Sequence, residues 1–486
     1  MTNFGHFLDR AKNSNVVPVI DTMPADLLTP LGVYLKLANG EANSFLFESV
    51  AGGENLARYS FIGAGPEMIV RGNQTTTLVH TADGCQTYSQ PVIDYVRCHF
   101  KEHFSVQDDS LPSFVGGAIG VLDFDCIEWF EPSLRGEQDS GSAEFMFFRS
   151  VVAFDHARQV VNIVTLVFTD ESEDLRSLYD SAVAKNAALK RQLNEQPIIL
   201  PDNGGGTRGE TISNFDKSDF EDSVVSIKDL IAAGECYQVV LSQAFERPTD
   251  ASAVAIYRAI RSLNPSPYMI LLQSELRSII GASPEMLVRC RGNKLEYRPI
   301  AGTRPRGQGI DEDTRLAAEM LADPKEVAEH AMLVDLGRND LGRVAEYGSV
   351  EVSEMLTVEK YSHVQHLVSS LNAKLRSGLD RFDALSSCFP AGTVSGAPKV
   401  RAVEIIRALE PTPRETYAGA VGYFDYAGNM DTCIAIRTMT LKNGVARVQA
   451  GAGIVADSVP EKEYEETVNK AKAMLRAIDI AEGVDQ

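Results

Sequence analysis

Residues 235–245 read ECYQVVLSQAF, a short apolar run of strand character. A helix over 218–233, capped by Ser218, is expected before it. Strands are expected after it, at 268–273 (YMILLQ) and 277–280 (RSII). A doubly wound parallel sheet would alternate strand and helix at a steady period. Here strands and helices mix without that period, which points to the α+β class. Upstream, residues 196–210 hold Pro201 and three successive glycines at 204–206, the most linker-like segment of the chain. It separates a region 1–200 from a region 213–482.

The first region mixes short strands and helices. Strands are expected at 44–49 (SFLFES) and 59–62, near a Gly-Gly turn at Gly52. Residues 68–71 and 75–80 flank Gly72-Asn73, a hairpin signal. Residues 114–123, FVGGAIGVLD, contain GGxxG with no helix after it and no acid downstream. That pattern suits a close strand approach better than a dinucleotide fingerprint. A second hairpin is expected from 151–155 and 160–169, followed by an amphipathic helix over 171–194.

The chain has 486 residues, enough for two to four domains, with 44% hydrophobic and 23% charged residues, as in ordinary globular proteins. A net charge of -21 argues against nucleic acid and anionic membrane as partners. It leaves open an anionic small molecule held in a local basic pocket. The seven cysteines are scattered without a CxxC, the usage of a reducing, cytoplasmic compartment. The start, MTNFGHFLDR, lacks an apolar signal core, and the run 160–168 is too short to span a membrane.

Chemistry concentrates toward the C-terminus. In residues 323–344, DPKEVAEHAMLVDLGRNDLGRV, Asp323 and Pro324 open a helix, and Glu326 and Glu329 share one face with Leu333 and Leu336. Glu463 and Glu466 form a second such pair, with Lys470 four residues after Glu466 and Met474 continuing the stripe. Capping boxes are the plain alternative, Asp323 with Glu326 and Ser458 with Glu461, although Glu463 and Glu466 lie beyond the second cap. Together, two helices presenting ExxE could supply a hard oxygen site for Mg²⁺. Arg437 lies in DTCIAIRTMTL, which reads as one apolar strand where an arginine needs a partner, structural or ligand. The amides of Gly451-Ala452-Gly453 could form an anion nest or an ordinary strand end. The loop 389–399, FPAGTVSGAPK, leads into a helix over 400–409 whose start could hold an anion, although the Walker spacing is absent. His366 among apolar neighbours reads first as structural, and Ser283-Pro284-Glu285 as a turn. There is no nucleophilic triad signature and no zinc spacing.

The segments GASPEMLVR, RPIAGTRPRG, EVAEHAMLVDLGRNDLGRV, HVQHLVSSL, FPAGTVSGAPKVRAVEII, ETYAGAVGYF, DTCIAIRT and GAGIVADSVPEKEYEETVNKAKAML run nearly without gap from about 280 to 476. In this order they closely resemble the large, chorismate-binding subunit of anthranilate synthase. LTPLGVYLKL and SFLFESVAGGENLARYSFIG resemble that family's regulatory region. The resemblance implies two large, mostly antiparallel sheets packed together, with helices outside and the active site in a cleft between them. Residues 1–200 would carry the tryptophan-binding regulatory segment and complete the same body, and 213–482 would be the catalytic domain.

It also implies roles. Mg²⁺ would be held by Glu329 and Glu466 directly and by Glu326 and Glu463 mainly through water. Arg437, the Gly451, Ala452 and Gly453 amides and Lys470 would meet the substrate carboxylates, with Tyr417 and Thr393 lining the ring pocket. Glu285 would be the acid that helps the C4 hydroxyl leave, and His366 would serve the later loss of pyruvate. Gln238 stands where related isochorismate and salicylate synthases carry a water-activating lysine. Ala301 stands where aminodeoxychorismate synthases often carry a lysine. Both favour ammonia as nucleophile and anthranilate as product. The alternatives are an aminodeoxychorismate or amino-deoxyisochorismate synthase, or a non-catalytic tryptophan-binding protein. No Gly-x-Cys-x-Gly glutaminase elbow is present, so a separate glutamine amidotransferase subunit is expected, in a heterotetramer of two of each. Feedback inhibition by L-tryptophan would use Phe47, Glu48, Ser49, Pro267, Tyr268, Met269, Tyr423 and Cys433. The family usually has Leu-Leu-Glu-Ser where this chain has Leu46-Phe47-Glu48-Ser49, and often Phe where it has Ile270.

Overall fold

The computed structural model describes residues 2–50, 58–136, 140–201, 209–361 and 364–483. The expected Gly-Gly turn at Gly52 and the glycine run of the 196–210 segment lie outside the described residues. Two twelve-stranded sheets pack face to face, and their pairings are antiparallel. The first sheet runs from Val16–Pro24 at one edge through Ser44–Glu48, Tyr268–Gln273, Ser278–Ser283, Thr438–Lys442 and Val445–Ile454 to Gln238–Pro248 and Ile212–Ser213. The second runs from Ile300–Pro305 through Val364–Lys374, Met286–Arg291, Met430–Ile434 and Ala420–Asp425 to Gly117–Leu122 and the hairpin strands Met68–Gly72 and Thr77–Thr81. Each sheet thus draws strands from both the first and the later part of the chain.

Burial on both faces explains why the central strands read as apolar runs rather than alternations. Gly117–Leu122 and Ala143–Phe148 are buried at every residue. The glycines of the 114–123 motif serve strand contact: a Cβ on Gly117 would sit 2.3 Å from Phe424 O. Phe45, Phe114 and Phe148 pack edge to face between the sheets, each worth about 1.5–3 kcal/mol of burial. Outside the first sheet lie helices Ala253–Leu263 and Pro460–Ala481, packed on each other, the first on Tyr268–Gln273 and Ser278–Ser283 and the second on Val445–Ile454. Outside the second lies helix Pro324–Gly342, against Ile300–Pro305 and Val364–Lys374. No helix among the described residues is long and apolar enough to cross a membrane.

The sheets exchange chain at two neighbouring corners. Ser278–Ser283 belongs to the first sheet and Met286–Arg291 to the second; residues 284–285 make the crossing. Met430–Ile434 belongs to the second and Thr438–Lys442 to the first; residues 435–437 cross back. The corners are hydrogen-bonded together, Ala282 N to Arg437 O at 3.0 Å and Ile434 N to Glu285 O at 3.1 Å. The stretch DTCIAIRTMTL is therefore two strands in two sheets, not one. Arg437 takes φ +50° at the break, backbone that a mid-strand residue would not adopt.

Helix starts also differ from expectation. Ser218 lies inside helix Lys217–Ala232, whose N-cap is Asp216. Asp323 does cap its helix, accepting from Lys325 N at 3.0 Å, but Glu326 turns to Arg304 and no capping box forms. At the C-terminal helix the N-cap is Val459. Ser458 bonds to the Glu463 carboxylate and Glu461 to Lys217, so that box is absent too.

Candidate active site

Both corners open into one cavity of about 600 Å³, between helix Pro324–Gly342 on one side and the N-terminal half of Pro460–Ala481 on the other. It is lined by Gln238, Glu285, His366, Thr393, Tyr417, Arg437, Gly451, Gly453 and Lys470, and by Glu326, Glu329, Glu463 and Glu466. Of the expected catalytic, substrate and metal positions, Ala452 alone is elsewhere, buried in the helix-side core. The loop helix Lys399–Leu409 does not present its start here; Lys399 bonds to Asp340 at 2.9 Å instead.

Glu285 is 2% exposed at the first corner. Thr393 Oγ1 donates to its Oε1 at 2.9 Å and Ile300 N at 3.4 Å. Burial pushes its carboxyl up to about 8, against those two hydrogen bonds. At neutral pH it holds a proton inside a cavity, the state of a general acid. The expected turn at Ser283-Pro284-Glu285 is instead a corner: Ser283 ends its strand, and residues 284–285 cross to the other sheet. Opposite, Arg437 donates to Lys470 O at 3.3 Å, and no carboxylate among the described residues pairs with it. Burial lowers its pKa from the usual value, with Tyr417 and Glu466 opposing.

The glycine segment is a strand edge rather than a nest. Gly451 and Gly453 pair with Ser242 and Val240. Those partners send their own N–H groups away, Val240 to Ser395 O and Ser242 to the Glu410 carboxylate. These are therefore non-hydrogen-bonded pairs, so the Gly451 and Gly453 amides face outward, toward the cleft, while that of Ala452 faces the ladder. Two alternate amides replace the expected three consecutive ones. A side chain would crowd the cleft: a Cβ on Gly451 would lie 2.8 Å from Tyr417 Oη, and one on Gly453 2.5 Å from Gln238 Nε2, which would have to move. Gln238 Oε1 is buried without a partner among the described residues. Burial pushes the Tyr417 phenol up to about 12, so it stays protonated.

His366 rests its Nδ1 3.0 Å from both Gly302 O and Thr303 Oγ1. A proton on Nδ1 serves Gly302 O and leaves Nε2 as the acceptor. Burial lowers its pKa, with Arg437 adding to the effect, and keeps it neutral. Neither Gly302-Thr303 nor Arg304 stood out as site-forming in the sequence beyond belonging to a motif.

The carboxylates divide. Glu326 is held by Arg304 at 2.8 Å and Glu466 by Lys470 at 2.6 Å. Glu329 is raised above the ordinary glutamate value by partial burial, then by Glu326 on its own helix and Glu466 on the facing one, with Lys325 and Lys470 opposing. Glu463 is raised by burial and Glu466, with Ser458 opposing. Among the described residues, no three metal-binding side chains converge to chelating distance.

A second cavity, of about 250 Å³, lies on the far side of the same corners. All the residues expected to bind tryptophan line it: Phe47, Glu48, Ser49, Pro267, Tyr268, Met269, Tyr423 and Cys433. Within its wall Arg289 pairs with Asp431 at 2.8 Å, and Tyr268 Oη donates to Asp431 at 3.0 Å. Glu48 accepts from Tyr257 and Arg261.

The chorismate binding enzyme family matches residues 42–476. Anthranilate synthase component 1 of Acetivibrio thermocellus is 43% identical over 485 residues, covering 97% of each chain. That of Bacillus subtilis is 41% identical over 497 residues, covering 99% of this chain and 96% of that one. Among solved structures, anthranilate synthase component I from Streptococcus pneumoniae is 35% identical with a TM-score of 0.76, covering 93% of this chain and 99% of that one. A menaquinone-specific isochorismate synthase from Escherichia coli, 21% identical with a TM-score of 0.71, shares the fold. With the cavity and its lining in place, these likenesses show that the chain belongs to the chorismate-binding enzymes, in their anthranilate synthase component 1 branch.

Proposed function

We propose that the chain aminates chorismate at C2 with ammonia and then eliminates pyruvate, giving anthranilate. The observation that carries this is Glu285: a buried, protonated carboxyl in one cavity with four facing glutamates and an arginine that no carboxylate among the described residues pairs with. Chorismate is a dicarboxylate whose C4 hydroxyl must leave as water. Arg437, with the Gly451 and Gly453 amides, holds one carboxylate in a fixed orientation. Glu285 gives its proton to the departing C4 oxygen while the ammonia nitrogen bonds to C2. The proton released from that nitrogen restores Glu285. In the second stage His366 Nε2 takes the C2 proton as the ether C–O bond at C3 breaks, and the released enolpyruvate takes up a proton at its methylene carbon to become pyruvate. Gln238 has no basic nitrogen for activating water, and Ala301 no amine for a covalent route, so ammonia remains the nucleophile.

The carboxylate set fits Mg²⁺. That ion needs one or two carboxylates, completing its shell with water and ligand oxygens. Glu329 and Glu466 repel each other across the cleft, and a divalent cation relieves that repulsion. These two would hold it, with Glu326 and Glu463 acting through water, and bound Mg²⁺ would draw charge from the ring carboxylate. Ammonia would come from a separate glutamine amidotransferase subunit. The second cavity suits L-tryptophan as feedback inhibitor: apolar Phe47, Pro267 and Met269 face polar groups that include Ser49 Oγ, unpartnered among the described residues.

One assay tests both parts. Chorismate, Mg²⁺ and ammonium at alkaline pH should yield anthranilate fluorescence, and added L-tryptophan should suppress it. Isochorismate or no product would refute the activity; full turnover at saturating tryptophan would refute the inhibitor site.

A further inference from the structure

The strand Ile300–Pro305 sets two parts of the cleft at once. Gly302 O and Thr303 Oγ1 hold His366. The next side chain, Arg304, reaches to the start of helix Pro324–Gly342. Its Nη1 donates to Glu326 Oε1 at 2.8 Å and its Nη2 to Asp323 Oδ2 at 3.3 Å; Nη1 also lies 3.0 Å from Thr303 O. The strand bulges at Gly302, φ +62°, where a Cβ would come 3.1 Å from Glu326 Oε2. Strand and helix thus meet through the Glu326 carboxylate.

The charges around the cleft give this contact its meaning. Besides Glu285, four glutamates line the cavity, Glu326, Glu329, Glu463 and Glu466. Lys470 holds Glu466 and Arg304 holds Glu326, while Glu329 and Glu463 have no ion pair among the described residues. A cation gains from every uncompensated carboxylate, whereas a dicarboxylate substrate is repelled by each one. A cleft that must take both needs part of its negative charge cancelled, and cancelled by a group that does not occupy the substrate's own position. Arg304 meets this requirement from behind: it does not line the cavity, and its partner does.

We propose that Arg304 is a positioning residue that pins and neutralises Glu326, so that a divalent cation and a dianionic substrate can share the cleft. The inference rests on the carboxylate-site reading above. Opposite effects on the two ligands separate it from a structural contact, which would weaken both alike. In Arg304→Gln, Mg²⁺ binding measured by calorimetry without substrate should be as tight as in the parent or tighter. The KM for chorismate should rise about tenfold or more. Adding Glu326→Gln removes the exposed charge, and the KM of the double variant should fall about threefold or more below that of Arg304→Gln, a coupling expected of directly paired groups, while its Mg²⁺ binding weakens because Glu326 belongs to the carboxylate set. Arg304→Lys, which keeps the charge, should stay near the parent and covers the case of a Gln variant that misfolds. An unchanged chorismate KM in Arg304→Gln, or parallel weakening of both ligands without recovery in the double variant, would overturn the proposal. If the unsubstituted chain binds no Mg²⁺ in calorimetry, the cofactor reading falls first and this inference with it.

Discussion

Glu285 shows how one residue acquires a chemical state from its surroundings. It is a carboxyl with an unperturbed value of 4.5, carried by burial to about 8. Below 4.5 folded and unfolded chains both hold the proton. As pH rises toward 8 the folded chain keeps a proton that the unfolded chain gives up, so this group's contribution to stability is lost across that window. Glu285→Gln cannot ionise. Its melting temperature relative to the parent should therefore climb between pH 5 and pH 8, while anthranilate formation falls by about a hundredfold or more. A variant that is inactive but shows no such pH-dependent gain would mean that Glu285 is ionised in the folded chain. Local pattern could not announce this role. Ser-Pro-Glu is a turn anywhere, and only the long motif resemblance singled out the glutamate. Burial supplies the reason, and burial is set by strands far away in sequence.

Elements tell the same story with different blind spots. The ExxE spacing put Glu326 with Glu329, and Glu463 with Glu466, on faces that line one cleft, where Glu326 and Glu463 are half-buried and Glu329 and Glu466 are exposed rather than turned into protein. The capping boxes failed because competing partners, Arg304 and Lys217, are brought in by tertiary packing. Residues 431–441 read as one strand because apolar residues continue across the corner; both sheets bury their share, so periodicity carries no mark of the break. The strand edge at 451–453 was legible as small residues close to something, but not as an edge. Gly453→Ala tests that reading. Its new Cβ would meet the end of the flexible Gln238 side chain, which can move aside, so stability should change little. Turnover should fall on the order of tenfold to a hundredfold as Gln238 and the open amide are displaced. Thermal melting and steady-state kinetics on the same preparation separate the two.

At the scale of the molecule, the C-terminal helix is both wall and clasp. Its first half presents Glu463, Glu466 and Lys470 to the cleft. Its far end is held by Arg247, 1% exposed, between Asp479 at 2.6 Å and Glu482 at 2.7 Å. Removing this cation takes a buried charged donor from both carboxylates at once. Arg247→Met should destabilise the chain by about 3–5 kcal/mol in urea unfolding; a loss below about 1 kcal/mol would mean the helix is anchored by its apolar face alone. The α+β class and the paired sheets were legible from strand runs and from the motif order.

The two corners at 284–285 and 435–437 also constrain how this sequence can change over generations. Side chains alternate faces along a strand, so one residue inserted at 435–437 would shift Thr438–Lys442 by one register and turn Met439, fully buried, out of its core. The partner corner is bonded to it and could not follow. Drift at these crossings is therefore confined to replacement, never to a change of length, and the spacing from Cys433 to Arg437 works as a fixed ruler between the two cavities.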